Sequence, residues 1–105
     1  MKTINIFNNI PNPTNEEFLE TILTQSNIKI VRIVSYGHTA PKEGWYDQKE
    51  NEWVVILEGE AILSFKDKED IKLFKGDSYF IAAHTKHKVS WTIPNKKTIW
   101  LACFF

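Results

Sequence analysis

The residues best suited to chemistry are Glu52 and His87, with Asp47, Gln48 and His84 near them in sequence. A carboxylate and an imidazole can share a proton, or together donate to a divalent cation. Such ligands suit Fe, Mn, Ni or Zn as the divalent ion. Asp47 or Gln48 would supply a third donor. Asp47 is the better ligand chemically, because a carboxylate brings charge and an amide oxygen does not. Gln48 has even spacing to Glu52, which puts both side chains on one face of a straight strand. A β-bulge would exchange the two, so the choice between them stays open. Without a metal, Glu52 and His87 would form a buried, hydrogen-bonded pair in which the carboxylate raises the histidine's affinity for a proton.

The remaining polar candidates are weaker. His84-Thr85-Lys86-His87 is a His-x-x-His. On a strand these histidines point oppositely, and only a turn at Thr85 would make them converge. His84 is therefore expected at a solvated pocket mouth, and His38 in an exposed loop. Tyr46 and Trp91 are candidate pocket walls able to stack on a planar ligand. No glycine-rich phosphate loop, Gly-x-Ser-x-Gly, Cys-x-x-Cys or dinucleotide fingerprint occurs.

The elements that must position these residues are mostly strands. Ile28 to Ser35, Glu52 to Leu57, Ala61 to Phe65, Ile71 to Phe74, Ser78 to Ala82, Lys88 to Ile93 and Thr98 to Phe105 read as strands separated by turn residues. Thr14 with Glu17 three residues later forms a capping box pattern. Phe18 and Ile22, with Leu19 and Leu23, supply a helical apolar face, so a short α-helix is expected over about 14–25. Many short strands at this spacing indicate a sandwich or barrel, here about 28–105. Alternation puts His87, Val89, Trp91 and Ile93 on one inward face, and Glu52 with Val54 and Ile56. Trp53, Val55 and Leu57 make the Glu52 strand apolar on its other face too, which demands cover. A homodimer is the economical way to provide it.

The bulk numbers fit one domain. The chain has 105 residues, thirteen basic and thirteen acidic, with 43% hydrophobic and 25% charged residues. That excludes disorder and gives no electrostatic reason to expect nucleic acid or a membrane surface as partner. No signal peptide core is present, and no apolar run approaches the ~20 residues of a membrane span. A cytoplasmic location is expected. Cys103, the single cysteine, sits in an apolar run and reads as a buried core thiol.

Two stretches resemble the paired motifs of the cupin superfamily. Glu52-Trp53-Val54-Val55-Ile56-Leu57-Glu58-Gly59 keeps the glutamate-to-glycine spacing of the first motif, followed by Glu60-Ala61. Gly76 through His87 matches the second motif in spacing, with His87 at its metal-ligand histidine. Gly44-Trp45-Tyr46-Asp47-Gln48 is similar to a signature of very small bacterial cupins. The first-motif histidines are replaced: their places fall on Trp45 and Asp47, or on Tyr46 and Gln48. The resemblance implies an all-β double-stranded β-helix, a jelly-roll barrel. It implies a small-molecule ligand and a divalent transition metal held by Glu52, His87 and Asp47 or Gln48. Dioxygenation, isomerisation or epimerisation of a small polar metabolite would be the corresponding chemistry. The alternative is a non-catalytic binding or sensing module with a degenerate metal site.

Overall fold

The β-rich stretches pair as the alternation requires. The computed structural model describes residues 3–105, in eight strands and two antiparallel sheets. The strands are β1 (Phe18–Gln25), β2 (Ile28–Ser35), β3 (Glu52–Glu58), β4 (Ala61–Phe65), β5 (Ile71–Leu73), β6 (Ser78–Ile81), β7 (His87–Thr92) and β8 (Thr98–Phe104). One sheet has the order β1-β2-β8-β3-β6 and the other β5-β4-β7. Isolated bridges from Ala40 and Tyr46 to Val89 and His87 extend the smaller sheet beyond β7. Among the described residues, no helix is long and apolar enough to cross a membrane.

The inward faces of both sheets form one core. Val54 and Ile56 of β3 stand opposite Ala102 and Trp100 of β8. With Ala61, Leu63 and Phe65 of β4, Leu73 and Ile81, they form a continuous apolar cluster. Gly59 turns the chain from β3 into β4 at φ 89°. A β-carbon there would lie 2.7 Å from Thr98 Cα and 2.8 Å from the Lys97 carbonyl, so the backbone of β8 and the residue before it occupies the space any side chain needs.

Several expectations are corrected. The segment expected to be helical is the edge strand β1, paired with β2 from Phe18↔Val34 to Gln25↔Ile28. A bulge between Thr21 and Leu23 breaks its alternation, which leaves apolar residues at a helix-like spacing. The capping box does not form; the Thr14 hydroxyl donates to the Glu16 carbonyl instead, at 2.7 Å. Cys103 is half-buried rather than in the core, because Ala102 takes the inward position and Cys103 pairs beside Trp53 on the outer face. In β7, Val89 pairs with Leu63 but Trp91 with Ile62, so Ser90 is bulged. Beyond it the faces exchange: Thr92 is buried, and Trp91 turns outward beneath the Lys72 ammonium, 4.8 Å from the indole.

Residues ahead of β1 are strapped across the body by side chains that seize backbone carbonyls. Arg32 donates to the carbonyls of Ile6, Asn8 and Asn9 and pairs with Glu20 at 2.6 Å. The Tyr36 hydroxyl donates to the Pro11 carbonyl at 2.8 Å. His38 is not a free loop residue: Nδ1 accepts the Tyr36 N–H at 3.0 Å, and Nε2–H donates to the Thr14 carbonyl at 2.7 Å. Those bonds fix the neutral Nε2–H tautomer.

Candidate functional site

Glu52 opens β3 and faces inward on the side of Val54; His87 opens β7 and faces it from the other sheet. Tyr46 fixes the backbone of His87 by two bonds, N–H to carbonyl in each direction, at 2.8 and 3.1 Å. The His87 Nδ1–H donates to the Thr85 carbonyl at 2.7 Å, which turns Nε2 toward Glu52. Nε2 lies 3.4 Å from Glu52 Oε1, and the two side chains are only 4% and 11% exposed. Gln48 donates its amide N–H to the same oxygen at 3.0 Å. Burial alone would lower the proton affinity of His87, but bonding to Glu52 and to the Thr85 carbonyl outweighs it, and the pKa is raised above 6.5. The two side chains form a buried carboxyl–imidazole pair.

This pair forms part of the wall of a cavity of about 880 Å³ between the sheets. Val31, Ile33, Val54, Leu63, Ile81, Val89, Trp100 and Phe104 supply apolar walls. The Tyr46 ring lies 5.6 Å from the imidazole, centroid to centroid. Burial raises the pKa of the Tyr46 phenol, and the carboxylates of Glu17 and Glu52 add to the rise. An apolar cavity with a few convergent polar groups is the usual form of a small-molecule site.

Glu17 also lines this cavity, a role that sequence reasoning missed. Burial holds its carboxyl above the usual carboxylate range; His38 works against that shift and the charge of Glu52 adds to it. The signal would have been phase. Glu17 and Leu19 both line the cavity, as residues two apart on an extended chain must, but the segment read as helix hides that relation.

Of the candidate residues, the structure brings together Glu52, His87, Gln48 and Tyr46. It sets Asp47 apart. Asp47 faces outward and pairs with His84 at 2.9 Å, both side chains well exposed. The turn at Thr85 exists, with Thr85 N–H on the Ala82 carbonyl and His84 at φ 59°, yet it directs His84 away from His87. Trp91 is outside the cavity, carried there by the Ser90 bulge.

The donors fit a cupin metal poorly. Among the described residues, no three His, Cys, Asp or Glu side chains cluster to hold an ion. Gln48 presents an N–H rather than an oxygen to Glu52, and Nε2 of His87 faces the same carboxyl oxygen at 3.4 Å.

Comparison with known proteins agrees with the geometry. Residues 33–103 match the cupin domain family. A Ralstonia eutropha JMP134 protein, provisionally named as a mannose-6-phosphate isomerase, is similar in structure with a TM-score of 0.92 and 31% identity, covering 99% of this chain and 97% of that one. A Thermus thermophilus structure superposes with a TM-score of 0.82 at 12% identity, covering 99% and 96%. An RmlC-like cupin with a double-stranded β-helix from Methanocaldococcus jannaschii gives 0.72 at 16%, covering 90% and 84%. The last two share the fold alone. No curated protein matches the chain. With its two-sheet barrel, the inward Glu52 and His87 and the family match over most of its length, the chain belongs to the cupin family.

Proposed function

We propose that this cupin binds a small molecule in its inter-sheet cavity, anchored at the proton-sharing Glu52–His87 pair and independently of a metal. The observation that carries this reading is the convergence of Gln48, Glu52 and His87 on one wall of an otherwise apolar cavity. Buried polar groups are costly unless matched, and this set is matched internally while facing open space. The decisive test is metal analysis of protein purified without a histidine tag, with melting curves in Mn, Fe, Ni and Zn. The expected result is no stoichiometric metal and no rise in melting temperature. A bound transition metal with a raised melting temperature would replace this reading with the metal-assisted chemistry of other cupins.

The provisional isomerase name of the Ralstonia protein supports a second reading. Here the Glu52–His87 pair would move a proton on a sugar-like substrate by acid–base catalysis. Turnover of mannose-6-phosphate that disappears in His87→Ala would support it.

The same proposal includes a second copy of the chain on the outer face of the larger sheet. Trp53, Phe80 and Phe105 are 40%, 50% and 46% exposed there. Trp53 is paired with both Phe80 and Cys103, and the Phe80 and Phe105 rings are 6.2 Å apart, so the patch is continuous. Monomers seldom leave a contiguous aromatic patch to water. Sedimentation velocity is expected to show a dimer for the native chain and a monomer for Trp53→Glu/Phe80→Glu. A native monomer at micromolar concentration would refute the proposal.

A further inference from the structure

We propose that Tyr46 determines the specificity of the cavity: its hydroxyl donates a hydrogen bond to the carbonyl oxygen of a small, neutral, otherwise apolar ligand. This deepens the reading of the cavity as a ligand site and depends on it. The supporting observation is a free hydroxyl on a held ring. Two backbone bonds tie Tyr46 to His87, at 2.8 and 3.1 Å, and its ring lies 5.6 Å from the imidazole. The chain has three tyrosines, and the other two have committed hydroxyls. That of Tyr36 donates to the Pro11 carbonyl, and that of Tyr79 accepts from Lys68. Among the described residues the Tyr46 hydroxyl has no hydrogen-bond partner, although Tyr46 lines the cavity.

That hydroxyl is a donor a ligand can reach. The Trp100 indole N–H, in the same wall, also lacks an acceptor among the described residues, but it is fully buried. Tyr46 is half-buried. Its phenol keeps its proton at neutral pH and is therefore a donor. Gln48 and His87 are both turned to Glu52, whereas Tyr46 has its whole bonding capacity to spare. A carbonyl oxygen answers a lone donor in a mostly apolar wall, because it only accepts and brings no proton that needs a second partner. A hydrocarbon of the same shape would cover the hydroxyl and leave it unmatched, which costs affinity.

The test is a fluorine NMR titration of the full chain with para-fluoroacetophenone, the corresponding alcohol and para-fluoroethylbenzene. The ketone is expected to bind at least about threefold more tightly than the other two, the worth of one hydrogen bond. Tyr46→Phe should lose that preference while binding the hydrocarbon as the native chain does. It should also melt with the native protein, because the ring and the backbone bonds to His87 stay and the lost hydroxyl bonds nothing within the chain. A second readout separates bonding from shape: the carbonyl-carbon resonance of the labelled ketone should move downfield on the native chain and not on Tyr46→Phe. Hydrocarbon or alcohol binding as tight as the ketone, or undiminished ketone affinity in Tyr46→Phe, overturns the proposal and leaves the cavity a ligand site of other specificity. No binding by any of the three overturns the proposal and counts against the ligand-site reading as well.

Discussion

His87→Ala should lower stability by about 3–5 kcal/mol, more than the loss of one ring's packing, because it strands a buried carboxylate. Glu52 is 8% exposed, and without His87 its remaining side-chain partner is the Gln48 amide. Replacing both members with apolar residues of similar size, Glu52→Leu/His87→Leu, should recover most of that loss, since neither charge is then left unpaired. Urea unfolding of the two variants measures the difference. Equal destabilisation by the single and double variants would show that the pair contributes by packing alone. The native protein should also show a signature in pH. Because the folded pKa of His87 is raised, its contribution to stability is full below 6.5 and is lost as pH rises through the higher folded value. In Glu52→Gln that decline should shrink, since the carboxylate that holds the proton is gone.

Gly59→Ala should be the most damaging of the glycine substitutions, on the order of 3–5 kcal/mol, combining backbone strain with overpacking. Its φ of 89° is a conformation that side chains rarely adopt, and the space for a β-carbon is filled by backbone at Lys97 and Thr98. Backbone cannot rotate aside as a side chain can. Gly44 and Gly76 are internal controls. Their φ values are also positive, 73° and 90°, but nothing lies within 4 Å of an added β-carbon. Alanine there should cost only about 1–2 kcal/mol, the conformational part alone. Comparable midpoints for all three variants in thermal melts would refute the steric account.

The barrel is readable in the sequence because turn residues delimit its short apolar strands. Ile28–Ser35 and Ala61–Phe65 have the limits that alternation and turn residues mark. Glu52 and His87 are legible as inward residues because each shares a face with apolar neighbours. Bulges account for the main failures. The one in β1 produces a helix-like spacing and hides Glu17, and the one at Ser90 reverses Trp91. A bulge is a property of pairing between strands, so it leaves little trace in either strand alone. The choice between Gln48 and Asp47 also depends on long-range contacts. The His84 N–H bonds to the Gln48 carbonyl at 2.7 Å, and Asp47 turns outward to the His84 ring.

The strap ahead of β1 is gripped by Arg32, Tyr36 and His38 through its peptide carbonyls rather than its side chains. Carbonyls are the same whatever residue bears them, so these grips on the segment are encoded in the body. Substitutions along it can accumulate without moving it, and the position that reaches the cavity, Glu17, can be rewritten on a track already laid. For an engineer, that makes the N-terminal segment a replaceable cassette: new side chains can be delivered to the ligand without redesigning the barrel beneath.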